Sequence, residues 1–353
     1  MGQIKNAWLI LTYSCNNSCD YCYAQKMVKR REFVELAFAK QVLDELARIR
    51  VECCLLIGGE PTLHKDLFEI VSYGAHLGLE MKIVSNGRKF KDRQFVQNLV
   101  SAGISHISIS LEGSTAQLHD RICGARSFAE TLQGLKNCVD SGVALNSVAT
   151  ISKGNRDDLV NIARLVHAVG VRNILFNYGL PPVSDENEDV FISPQELANA
   201  AIAAYHCLRE EGIRVRFFGT IPVCTYGKEI ERMVTEGYIS GGTGCHMFTG
   251  AGIAIEPTGK VIPCTHFVDT ELFSCSGDNG KTFQLSGRLD KIWNEVDGPR
   301  MRFQELLRRY PSSECEDCRL WGKCRGGCPL LWKQFDPRNY TYRQSVSTCF
   351  SQP

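Results

Sequence analysis

The sequence predicts an α/β chain: a partial (β/α)6 barrel of the TIM type, followed by a small cysteine-rich C-terminal domain. Three observations carry this expectation. From residue 7 to about 218, short apolar runs alternate with amphipathic helical stretches. Beyond Gly241 the texture shifts to glycine and cysteine. The 353 residues also exceed what one hydrophobic core usually organises.

The runs AWLILT (7–12), CCLLIG (53–58), MKIVSN (81–86), HISISL (106–111), ALNSVATI (144–151) and NILFNY (173–178) read as buried parallel strands. Between the first two, Leu36, Ala39, Leu43, Leu46 and Ala47 share one helical face. Leu132, Leu135 and Val139 mark another helix, closed by Gly142, with Ser127 as the expected N-cap. Such alternation gives right-handed βαβ units, and six of them suit a partial barrel better than a complete one. The polar loop 181–190 follows the sixth strand, on the face where barrels keep their sites. In the second half, AGIAIEP and KVIPCTHF flank a turn at PTGK (257–260), and RMRFQELLRR (300–309) reads as a short charged helix. The segment CEDCRLWGKCRGGC (315–328) has little apolar material and needs metal to hold a shape. The expected organisation is a barrel over 1–218, a linker over 219–240 and a cysteine-rich domain over 241–353.

A net charge of +1 offers no electrostatic grip on nucleic acid or anionic lipid. No apolar run approaches the roughly 20 residues of a membrane span. Residues 1–14 lack the features of a secretory signal, and Asn6 stands where a myristoylation motif wants Ser or Thr. A cytoplasmic protein is expected. Against a reducing cytosol, an odd total of 17 cysteines at close spacings points to metal ligands rather than disulfides.

Cys15, Cys19 and Cys22 follow the first strand directly. Three thiolates on one loop can hold three corners of a cubane iron–sulfur cluster and leave the fourth iron open to a small molecule. CNNSCDYC resembles the CxxxCxφC motif of the radical S-adenosylmethionine (radical SAM) enzymes, with Tyr21 as the aromatic residue. IGGEP (57–61), VSNG (84–87) and ISISLEG (107–113) resemble that family's cofactor-binding strand ends, in the same order. The resemblance implies S-adenosylmethionine and one [4Fe–4S] cluster as cofactors. It also implies contacts to S-adenosylmethionine from Gly58, Gly59, Glu60, Ser85, Asn86 and Ser110. It further implies reductive cleavage to a 5′-deoxyadenosyl radical that abstracts a hydrogen atom from substrate. Cys123 occupies the position where relatives carry an arginine for the cofactor carboxylate, so Arg121 or Arg126 would have to substitute.

Downstream, Cys245, Cys264, Cys315, Cys318, Cys324, Cys328 and Cys349 resemble the SPASM extension, which carries one or two auxiliary iron–sulfur clusters. Family topology implies Cys315, Cys318, Cys324 and Cys349 on one cluster, with Cys328 joining Cys245 and Cys264 on the other. The second then lacks a fourth ligand: Cys275, Cys224 or His266 could supply it, or the site is open to substrate. A zinc ribbon is the alternative for 315–328. Of the seven remaining cysteines, Cys53, Cys54, Cys138 and Cys207 read as small buried hydrophobes. Cys123, Cys224 and Cys275 are candidates for hydrogen donation to a substrate radical, or bystanders.

The leading expectation is modification of a peptide by crosslink, thioether formation or epimerisation. The alternatives are oxidation or epimerisation of a small natural product such as an aminoglycoside or nucleoside sugar, and a non-enzymatic iron–sulfur or zinc-stapled binding module. Serine or cysteine oxidation in a protein is disfavoured, because Thr265 follows Cys264 where those relatives carry a catalytic aspartate. An external one-electron donor of flavodoxin or ferredoxin type is implied. With Cys15 so near the start, leader recognition would fall to a separate protein or to the barrel mouth.

Overall fold

The computed structural model describes residues 3–183, 188–239, 245–268, 270–307, 311–318 and 320–337. Cys349 and residues 184–187 of the polar loop lie outside them. The expected strands form as β1 (Asn6–Thr12), β2 (Cys53–Gly58), β3 (Glu80–Ser85), β4 (His106–Ser110), β5 (Ala144–Ile151) and β6 (Asn173–Tyr178). Between them run α1 (Leu36–Arg48), α2 (Leu67–His76), α3 (Arg93–Ser101), α4 (Ala116–Cys123), α5 (Phe128–Ser141) and α6 (Leu159–Val169). Leu9, Leu11, Leu56, Ile83, Ile107, Ile109, Ile151 and Phe176 are fully buried, as strands covered on both faces require.

The sheet goes further than the six foreseen strands. After α7 (Pro194–Glu210), β7 (Val215–Phe218) adds in parallel to β6. Val215 and Phe217 are buried while Arg216 and Phe218 point outward, the alternation of an edge strand. Its four residues, with an arginine inside, leave no apolar run to read. At the other edge β8 (Gly252–Ile255) pairs in parallel with β1, from Asn6 opposite Gly252 to Leu9 opposite Ile255. β9 (Lys260–Ile262) and β10 (Phe273–Ser274) follow antiparallel. One ten-stranded sheet results, in the order β10-β9-β8-β1-β2-β3-β4-β5-β6-β7, and it does not close on itself. The extension therefore shares its sheet with the barrel. Segment 219–240, read as a linker, holds a 3-10 turn (Val223–Glu229) and a short helix (Ile230–Thr235).

The extension is also fastened to α1. Buried Glu45 accepts hydrogen bonds from the backbone N–H groups of Gly287 (2.9 Å) and Leu289 (3.1 Å) and pairs with Arg48, which reaches Asp290 at 2.7 Å. Gln41 accepts from the Phe283 N–H at 2.9 Å. Two local expectations change. Ser127 does begin α5, but Asp120 caps it, accepting from the N–H groups of Ser127 and Phe128 at 2.8 Å each. The Ser127 hydroxyl is turned instead to the Ala125 carbonyl and His119. Cys207 is exposed, because it falls off the α7 face formed by Leu197, Ala201, Ala204 and Leu208. Among the described residues, no helix is long and apolar enough to cross a membrane.

Candidate metal centres

The three-cysteine loop leaves β1 at its carboxyl end and is held from three directions. From β3, Asn86 donates to the Asn16 side-chain oxygen at 2.6 Å, and Arg88 donates to the Asn16 carbonyl and the Asn17 amide oxygen. From α4, the carbonyls of Cys123 and Ile122 accept from the N–H groups of Ser18 (2.9 Å) and Asp20 (3.0 Å). This approach depends on Gly124: a Cβ there would lie 2.5 Å from the Ser18 carbonyl oxygen. From the end of β4, fully buried Glu112 accepts from the Tyr21 hydroxyl at 2.6 Å and the Thr150 N–H at 2.8 Å.

Burial pushes the Cys15 and Cys22 thiols up to about 12. Cys19 is raised by its hydrogen bond with Cys123 and then by burial, so metal loading here must displace protons. Among the described residues, no three Cys, His, Asp or Glu side chains are already gathered as they would be around a metal ion.

Beside the loop lies the GGE segment. Gly58 and Gly59 are required by packing against β1: a Cβ on Gly58 would sit 2.1 Å from the Thr12 oxygen, and one on Gly59 2.4 Å from those of Tyr13 and Ser14. The N–H groups of Gly59 and Glu60 donate to Thr12 and Ser14, both at 2.8 Å. The Glu60 carbonyl accepts from the Leu63 N–H at 3.1 Å, and backbone carbonyls of this kind are acceptors suited to an ammonium group. Glu60 is fully buried and accepts from the Thr62 N–H and hydroxyl, the Ser85 hydroxyl (2.8 Å) and the Asn86 N–H (2.8 Å). Ser85 and Asn86 thus tie β2, β3 and the cysteine loop into one rim. Ser110 stands half-buried at the end of β4, opposite Val148 of β5. Arg121 is exposed on α4 and donates to the Gly154 carbonyl at 3.3 Å. Arg88 and Glu112 escaped the sequence reading. Glu112 carries the same signal as Glu60, an acid beside glycine at a strand's carboxyl end, and burial pushes it up to about 7.

The downstream cysteines gather in two groups. Cys328 is raised by burial and then by the nearby charges of Cys264 and Cys245, which puts these three together. Cys315, Cys318 and Cys324 form the other group, with Cys224 among them. Tyr23 stands between the loop and the extension. Its hydroxyl donates to the Gly58 carbonyl at 3.5 Å, and its ring packs 5.2 Å from that of His266. Burial pushes His266 down to about 4, so it is neutral at pH 7. Cys275 is fully buried and donates to the Gly259 carbonyl at 2.9 Å. Cys123 is buried against His119 Nε2 at 3.5 Å.

The chain is 26% identical over 326 residues to the mycofactocin maturase MftC of Mycobacterium ulcerans (strain Agy99), covering 90% of this chain and 81% of that protein. It is 26% identical over 268 residues to the PqqA peptide cyclase of Methylocella silvestris, covering 74% and 67%. The fold superposes on Streptococcus suis SuiB bound to S-adenosylmethionine with a TM-score of 0.73 at 16% identity, over 98% of this chain and 78% of that one. Residues 9–166, which contain the cysteine loop and the strand ends around it, match the Radical SAM superfamily model.

Proposed function

We propose that this enzyme modifies a peptide by radical chemistry started at Cys15, Cys19 and Cys22. The carrying observation is the loop itself: three thiols at the exit of β1, pinned beside a buried Glu60 and the Gly58–Gly59 segment. Bound there, a [4Fe–4S] cluster and S-adenosylmethionine supply one-electron reduction and a carbon radical able to remove a hydrogen atom.

The chain's own residues set the stage. Gly58 and Gly59 receive the amino group of the methionyl moiety on their carbonyls, and Ser110 meets the ribose. Glu60, Ser85 and Asn86 keep the three strand ends in register, so the binding surface is formed before ligand arrives. Ile10, Tyr13, Ala24, Met27, Ile262 and Val268 make an apolar wall beside Cys22 and Tyr23 and exclude water from the reacting centre. Cys245, Cys264 and Cys328, with Cys315, Cys318 and Cys324, hold one or two auxiliary clusters. A flavodoxin- or ferredoxin-like protein supplies the electron, and the reaction takes place in the cytoplasm.

The peptide reading is supported by similarity that runs across most of the chain to a maturase and, over about three-quarters of it, to a peptide cyclase. Anaerobically loaded protein, given S-adenosylmethionine and dithionite, should release 5′-deoxyadenosine, and changing Cys15, Cys19 and Cys22 together to Ala should stop it. Continued release from that variant would overturn the site. A short peptide encoded beside the gene should lose two hydrogens on crosslinking or take up solvent deuterium on epimerisation. Turnover of small molecules with every such peptide left unchanged would overturn the substrate class.

A further inference from the structure

We propose that Cys224 supplies the fourth thiolate of the centre built on Cys315, Cys318 and Cys324. It is neither a hydrogen donor at the barrel nor a ligand beside Cys245, Cys264 and Cys328. The inference rests on reading the extension as an iron–sulfur carrier and concerns which side chain completes one cluster.

The segment 220–224 is seated against 324–328. Thr220 accepts from the Cys328 N–H at 2.9 Å, and the Val223 N–H donates to the Cys324 sulfur at 3.3 Å. Gly327 has no room for a side chain there, since a Cβ would stand 3.0 Å from Pro222 Cδ. Cys224 follows Val223 at the start of the 3-10 turn Val223–Glu229 and is half-buried. Cys324, Cys315 and Cys318 are the charged neighbours of its thiol. A cubane cluster with no iron left open takes four cysteine thiolates, each deprotonated as the cluster enters. The 315–324 run provides three. The barrel's exit segment provides the next, which ties the end of β7 to the extension through iron. Cys349, to which the resemblance would give that corner, becomes the rival.

The test uses full-length chain carrying Cys15→Ala, Cys19→Ala and Cys22→Ala, in which any bound cluster is auxiliary. Adding Cys224→Ala should remove about four iron atoms and the matching sulfide per chain, together with one signal from the electron paramagnetic resonance spectrum of the reduced protein. Cys349→Ala should keep both. Cys224→Ser, which retains a weak oxygen ligand and the local packing, should keep most of the iron but shift the g-values of that signal. Full iron and an unshifted spectrum in both Cys224 variants, with loss in Cys349→Ala, would overturn the assignment. A starting variant with no iron at all would instead overturn the cluster reading on which it rests.

Discussion

The cysteine loop at 15–22 and the cysteines at 315–328 are built on different foundations. The loop is gripped by Asn86 and Arg88 from β3, by the carbonyls of Ile122 and Cys123 from α4, and by Glu112 from β4. Each gripping element belongs to the barrel and is packed over a continuous apolar core. The 315–328 run rests on elements of three and four residues: Ser313–Cys315, Trp321–Cys324 and, just after, Leu331–Gln334. Helices that short are not stable by themselves. On the function proposed above, the polypeptide shapes the radical-generating site and metal would add chemistry, whereas at 315–328 metal would add the shape.

The sharpest way to break this contrast is to withhold iron. Metal-free protein should keep slow amide exchange in β1 to β6, while the amides of 311–337 exchange at rates close to those of an unfolded chain, measured by mass spectrometry. Equal protection of both regions would refute the contrast. The triple Ala variant of Cys15, Cys19 and Cys22 sharpens it from the other side. It should lose 5′-deoxyadenosine formation entirely, yet melt within a few degrees of the parent compared metal-free.

A smaller effect is expected at Gly59. The added methyl of Gly59→Ala meets two carbonyl oxygens at 2.4 Å, and backbone cannot swing aside as a flexible side chain can. A cost of about 1–3 kcal/mol is expected, read by denaturant unfolding. S-adenosylmethionine affinity should fall as well, because the carbonyls of the same segment shift. Unchanged stability would mean that β2 does not seat on the β1 exit as described.

What the sequence made legible follows from this difference. Buried parallel strands write themselves as apolar runs, so β1 to β6 and the motifs at their ends could be read directly. β7 is short and one-sided, and β8 gives no hint that its partner is β1, 246 positions away at Asn6 and Gly252; strand pairing across such a distance has no local signature. Within the site, cysteine spacing announced the thiols, but not the groups that hold them. Arg88 and Glu112 look like ordinary charges until the fold turns them inward. Cys224 sits alone in sequence, ninety-one residues before Cys315, and only the packing of 220–224 on 324–328 brings it to the others. Cys207 shows the converse error, since cysteine's general preference for the interior says nothing about which helix face it occupies.

The smallest expected effect tests whether the two regions are joined without metal. Glu45 is the buried tie between α1 and the extension, accepting from Gly287, Leu289 and Arg48. Burial raises its carboxyl, but Arg48 and the two N–H groups more than reverse this, holding it below its ordinary value of 4.5. A group lowered on folding contributes stability above its unfolded value and loses that contribution as pH falls through the folded one. Glu45→Gln should therefore cost about 1 kcal/mol at pH 7. The difference from the parent should persist down to about pH 4.5 and shrink below it as the parent's carboxylate takes up a proton. The fingerprint should be regional, with faster amide exchange at 283–293 and none at β4 to β6, because the lost bonds fasten only that stretch. A uniform effect across the molecule would mean that the extension and barrel unfold as one unit, and that their shared sheet, not Glu45, decides their union.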